Sequence, residues 1–201
     1  VNGRDAGTRN LLGKKPAVGN SATADGSELR SDEAAQACLK TAQELEQQGH
    51  LREAILLYER ARERGSIEGL DHRLAVIYAT IGNAERALPL YQEAVRKQPR
   101  SADVANDFGY FQLERENFEE AERQFRGALE LDSQHGPARV TLGMSLARQG
   151  QFQQAFEAFE PAVGAAAAHS NVGVLLLKEG RAAEAREAFA NALALNASLE
   201  Q

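Results

Sequence analysis

One pattern dominates this chain: alanine, an aromatic four residues on, and alanine three further on. It occurs as Ala54/Tyr58/Ala61, Ala87/Tyr91/Ala94, Ala121/Phe125/Ala128, Ala155/Phe159/Ala162 and Ala185/Phe189/Ala192, with successive offsets of 33, 34, 34 and 30 residues. A second series, a large residue followed by a small one, runs upstream in the same register as Thr41-Ala42, Leu74-Ala75, Phe108-Gly109, Leu142-Gly143 and Val172-Gly173. Between the two series sits a turn with Gly49, Gly82, Gly150 or Gly180, and Glu116-Asn117 takes that place in the third copy. Each copy reads helix, turn, helix. A single copy cannot bury its apolar face alone, so the chain is committed to stacking neighbours.

On a helix, residues i, i+4 and i+7 share one face, so each aromatic lies on a stripe flanked by two alanines. Small residues let two helices approach to the short end of the ~8–10 Å range, and the ring fills the space between them. The turn glycines suit the left-handed conformation that ends a helix, and Asn83 and Asn117 are placed to cap the next one.

The two series together resemble the tetratricopeptide repeat (TPR) family, whose unit of about 34 residues has a large-small pair in helix A and the alanine-aromatic-alanine stripe in helix B. The resemblance implies an all-α, right-handed superhelical solenoid of five helix-turn-helix units, near 35–67, 68–101, 102–135, 136–165 and 166–201. The sequence departs from the family at the fourth position of helix A, where Cys38, Asp71, Ala105, Arg139 and His169 stand, and the closing proline survives only as Pro99. Asn106-Asp107-Phe108-Gly109-Tyr110 and His169-Ser170-Asn171-Val172-Gly173 are similar to bacterial members, including those of pilus and envelope assembly. The compartment stays open between bacterial envelope and cytoplasm.

Residues 1–30 are rich in Gly, Asn, Ser and Ala and read as a flexible polar tail or linker ahead of the solenoid, which runs over 31–201 from the helix start Ser31-Asp32-Glu33. Leu11 and Leu12, its one bulky apolar pair, are expected to touch a repeat surface of this chain or of a neighbouring copy, the groove included. Val1 in place of Met leaves room for a leader.

Composition narrows the function. The net charge of −6 argues against a nucleic-acid partner, and a single cysteine, Cys38, forms no intramolecular disulfide or zinc pair. Cys38 is expected to act as a small buried apolar group. No window is apolar enough for membrane insertion. His50, His72, His135 and His169 are scattered, and no P-loop, zincin or nucleophile-elbow motif occurs, so neither catalysis, metal nor cofactor is expected. His50 and His135 read as solvated loop residues. Arg60, Arg62 and Arg64, alternating with Glu59 and Glu63, read as a solvated face with mixed pairing rather than an anion site, and Asn196-Ala197-Ser198 as a sequon without context.

Function is therefore expected in the concave groove, which in the family is lined by helix A. Carried onto this sequence, the lining is Leu39, Lys40, Gln43 and Gln47, then His72, Arg73, Val76 and Thr80, then Asp103, Asn106, Asp107, Tyr110 and Glu114. The last two units add Val140, Thr141, Met144 and Arg148, then Ser170, Asn171, Val174 and Lys178. Apolar floor with amides and mixed charge suits a protein or peptide partner, with Asn106 and Asn171 pairing to its backbone and Tyr110 and Met144 holding an apolar anchor. The family's carboxylate clamp is missing in every frame, and Asp103 and Asp107 would repel a terminal carboxylate.

The fourth-to-fifth junction is four residues short, and Pro161 lies inside the fourth unit's second helix, so that helix is expected to bend or stop near Gly164, with Ala165–Ala168 opening the next almost without a loop. At the C-terminal end Leu193 and Leu195 occupy the register of Leu129 and Leu131, expected to pack on a following helix pair. A self-association surface centred on Phe189, Leu193 and Leu195 is the alternative role, a structural module pairing through its ends.

Overall fold

Every ring of the repeating stripe lies on the small residue of the helix before it. A methyl group added at Gly109 or Gly143 would sit 2.6 Å from Phe125 or Phe159, and one at Gly173 would sit 2.8 Å from Phe189. In the first two units the small residue is Ala42 or Ala75, fully buried in one core cluster with Tyr58 and Tyr91. Tyrosine thus goes with alanine and phenylalanine with glycine. The glycine admits the phenylalanine ring to the helix backbone, whereas the Tyr58 hydroxyl reaches Glu46 Oε2 at 2.6 Å.

The structure is a computed structural model describing residues 22–65 and 67–199. Among them are ten helices and no strand: α1 (Ala22–Gln47), α2 (Leu51–Arg64), α3 (Leu70–Thr80), α4 (Ala84–Lys97), α5 (Ala102–Glu114), α6 (Phe118–Leu131), α7 (Gly136–Arg148), α8 (Phe152–Val163), α9 (Ala165–Lys178) and α10 (Ala182–Leu199). Odd helices are A, even helices B. Each A packs on its own B, and each B packs on the next A. The core runs as a filament between the layers rather than as one central cluster.

Helix α1 begins at Ala22, so residues 22–30, read from composition as tail, are its first turns. Once the later turns are anchored by α2, each upstream residue adds a hydrogen bond without a new nucleus. Leu11 and Leu12 lie outside the described residues. The turn glycines Gly49, Gly82, Gly150 and Gly180 all have φ near +80°, and Glu116 takes the same left-handed conformation at φ 60°. Asn83 caps α4 through Arg86 N at 3.2 Å. Asn117 does not cap α6: its amide donates to Gln112 Oε1 at 3.1 Å instead.

Helix α8 stops at Val163, and Gly164, at φ 81° and ψ 158°, ends α8 and opens α9 with no loop between. His135 is not a solvated loop residue. Its ring is buried, Nδ1 accepts from Ala138 N at 3.0 Å to cap α7, and Nε2 lies 2.9 Å from Asp103 Oδ1. His50 is exposed, as its turn position predicts. Cys38 is half-buried, with Arg64 Nη1 4.0 Å from its sulfur. Arg62 is exposed and pairs with Glu59 at 3.3 Å, as a solvated face with mixed pairing predicts, and its Nε also stands 3.0 Å from buried Asp71, whose other oxygen accepts from Lys97 Nζ at 2.6 Å.

At the C-terminal end the register of Leu129 and Leu131 does not place both leucines in a core. Leu129 packs into the core, but Leu131 is 46% exposed even though α7 follows it. Its register therefore faces solvent in an inner unit, and Leu195, half-buried, lacks no partner that Leu131 has. Phe189 is committed to its own unit through Gly173. Leu193 remains, 70% exposed.

Candidate functional site

Helix A residues at three- and four-residue spacing share a face, and in α3 and α5 that face carries Val76, Ala79 and Thr80 opposite Asp107, Tyr110, Phe111 and Glu114. Between them lies a cavity of about 440 Å³, floored by Tyr91 and Ala84 of α4 and lined mainly by apolar surface. Burial, with Asp107 nearby, pushes the Tyr91 hydroxyl above its usual range. Phe111 packs on Tyr91 at 5.1 Å between ring centroids, while Tyr110 is 42% exposed at the lip.

The cavity exists because small residues stand where the next unit has large ones. Ala79, Thr80, Gly82 and Ala84 are in register with Leu113, Glu114, Glu116 and Phe118. At the α5–α7 step Leu113 is fully buried, Phe118 packs beside it, and Arg148 closes the edge by donating to Leu113 O at 3.4 Å and Glu114 Oε1 at 2.8 Å. The same groove is thus open at one step and filled at the following one. A second hollow, of about 450 Å³, lies on the other side of α3 and is lined by Leu39, Gln43, Glu46, His72, Arg73 and Val76.

Polar side chains tie successive A helices together. Arg73 Nε donates to Glu46 Oε2 at 2.7 Å, and the same carboxylate accepts from Tyr58; burial and this bond push the tyrosine hydroxyl up to about 12. His72 Nε2 lies 2.9 Å from Asp107 Oδ2, and the Thr141 hydroxyl donates to Asn106 Oδ1 at 2.7 Å. Asn106 is 93% buried from solvent and its amide donates to Asp107 Oδ1 at 3.2 Å, so it serves the inter-unit tie rather than a partner backbone. A buried position on a helix whose other face is also packed offers no sequence signal that separates it from a groove position.

Of the other predicted lining residues, Lys40, Arg148 and Lys178 are exposed, and Gln43, Met144 and Asn171 half-buried. Val174 is 47% exposed. The structure gathers Val76, Asp107 and Tyr110 around the cavity and His72, Arg73 and Gln43 around its neighbour. Ala79, Ala84, Tyr91, Phe111 and Arg115 complete the first cavity and escaped sequence reading. The usable signal was Ala79, Gly82 and Ala84 standing where the next unit has Leu113, Glu116 and Phe118, visible only when units are compared.

The TPR family model matches residues 39–102, and that of the middle TPR-like domain of cilia and flagella-associated protein 70 matches residues 72–171. Together these matches span most of the solenoid, and the chain belongs to the TPR family. Human protein O-mannosyl-transferase TMTC2 is 29% identical over 103 residues, which is 50% of this chain and 12% of the transferase. The chain therefore spans about an eighth of that relative's length.

Among solved structures, MamA shares 20% identity at TM-score 0.64, covering 79% of this chain and 96% of that one. PilF of Pseudomonas aeruginosa shares 26% at TM-score 0.63, covering 81% and 78%. YrrB, described as a TPR protein with an unusual peptide-binding site, shares 23% at TM-score 0.63, covering 87% and 91%. These likenesses place the chain in the superhelical TPR solenoid fold.

Proposed function

We propose that the protein is a non-catalytic scaffold that holds an extended or helical segment of a partner protein along its concave face. The observation that carries this reading is the open, mainly apolar cavity between α3 and α5, at a step that the next unit fills with its own side chains. A solenoid that needed only stability would close both steps alike, since apolar burial stabilises by about 25 cal/mol per Å². The peptide-binding description of YrrB supports the reading by analogy of fold.

A photoreactive amino acid placed at Tyr110 or Met144 tests it against controls at Leu56 and Arg123, exposed on the B helices. Adducts to one defined partner segment from the groove positions alone are expected. Adducts equally strong from the B-helix positions would overturn the groove as the binding surface.

The second reading, a module that pairs through its end, is favoured by Leu177 and Leu193, 51% and 70% exposed. Leu177 stands in the register of Leu113 and Ala147, both buried inside the solenoid. Light scattering over a dilution series decides it, because obligate pairing keeps the mass doubled at low concentration.

A further inference from the structure

We infer that the α3–α5 cavity receives one large apolar side chain of the partner segment, and that a lysine or arginine flanks this anchor on the side of the α5 N-terminus. The inference rests on the groove reading above and adds the chemistry of the occupant.

Two observations carry it. Val76, Ala79, Ala84, Phe111 and the Tyr110 ring make most of the cavity surface apolar, with the charged side chains Asp107, Glu114 and Arg115 in the same lining, so an apolar side chain gains most from burial there. The charge at the two ends is unequal. In the N-terminal half of α5, Asp103 and Asp107 lie one turn apart with side chains 81% and 40% exposed. Their partners, the rings of His135 and His72, are hydrogen-bonded at 2.9 Å each, and among the described residues no arginine or lysine forms an ion pair with them. At the other end Glu114 is paired with Arg148, and Arg115 lies with its guanidinium 5.4 Å from the Phe111 ring, so cations equal or exceed carboxylates.

A segment with a cation on one flank and a neutral or acidic residue on the other fits this gradient, and the reverse order meets like charge at both ends. The exposure of Asp103 and Asp107 makes the contribution sensitive to salt.

The test is selection of a random peptide library on the full chain, followed by affinity measurements of the best peptides on variants. Leu113 occupies the register of Ala79 in the next unit, so Ala79→Leu fills the cavity with a residue the fold already accommodates there. Circular dichroism and melting confirm that each variant is folded. The selected peptides should share a large apolar residue with a neighbouring Lys or Arg, and Ala79→Leu should weaken them at least about tenfold, as expected for loss of a buried anchor. Asp103→Asn with Asp107→Asn should weaken them by about fivefold and flatten the salt dependence.

If Ala79→Leu abolishes binding but the peptides carry no basic flank and ignore the aspartate changes, the charge inference is overturned and the groove reading stands. If Ala79→Leu leaves every selected peptide bound, or no peptide is enriched, both fail.

Discussion

His135 and Asp103 join two units through a single imidazole: Nε2 lies 2.9 Å from the Asp103 carboxylate on α5, and Nδ1 accepts from the Ala138 amide of α7. An Nδ1 that accepts carries no proton, so Nε2 is the donor to Asp103. The ring is at once the cap of one helix and a link to the helix before it.

Replacing His135 by Ala removes both bonds. The expected loss is about 1–2 kcal/mol, the usual range for a deleted N-cap, and His135→Asn should recover most of the cap but not the link to Asp103. Urea denaturation of the two variants measures the difference; equal losses would mean that the cap contributes nothing.

Glu116 is the one described non-glycine residue at positive φ, in a turn where four other units use glycine. A left-handed conformation costs an ordinary L-residue roughly 1–2 kcal/mol, partly offset by the freedom glycine brings to the unfolded chain. Glu116→Gly should therefore raise stability by about 0.5–1 kcal/mol, whereas Gly150→Ala should lower it. Thermal melts of both, compared with the parent, check the sign.

Ser145 is fully buried and its hydroxyl has no hydrogen-bond partner. It stands in the register of Phe111 and faces a step that Leu113 already fills. Ser145→Ala should stabilise by about 1 kcal/mol through loss of an unsatisfied buried group. A lower denaturation midpoint for the variant would contradict this.

Tyr58 gives an alkaline signature. Its hydroxyl is raised from 10.0 to about 12 by burial and by the bond to Glu46. The folded value lies above the unfolded one, so the linked stability is fully present below pH 10 and is lost as pH rises toward about 12. Burial raises Tyr78 and Tyr91 as well, so tyrosinate absorbance should show several late-titrating groups, of which Tyr58→Phe removes one, and that variant should lose part of the alkaline fall in stability.

The repeat, the helix pairs and the ring-on-small-residue packing were legible because they follow from spacing alone: a ring at i+4 between two alanines has one geometry on a helix. The missing loop at Gly164 was legible for the same reason, since a four-residue deficit beside Pro161 leaves no length for a connection. What was not legible depends on partners from other units. His135 and His50 look alike in sequence, both just before a helix, yet one meets Asp103 and is buried while the other stays in solvent. Asn106 and Ser170 occupy equivalent helix A positions, but Asn106 meets Thr141 across the step whereas the Ser170 hydroxyl turns back to Ala166 O of its own helix. The cavity was hidden because it is made by what Ala79 and Gly82 lack, and a void has no residue to mark it.

The matching of Tyr with Ala and of Phe with Gly sets where this gene could have been cut and rejoined. A crossover between units, at 98–101 or 132–135, transfers each ring together with its seat. A crossover in the turn inside a unit can put a phenylalanine helix on an alanine, or a tyrosine helix on a glycine, and so leave an overfilled or an empty contact. Internal turns, although exposed and glycine-rich, are consequently poor points of exchange, and the heritable module is the intact helix pair.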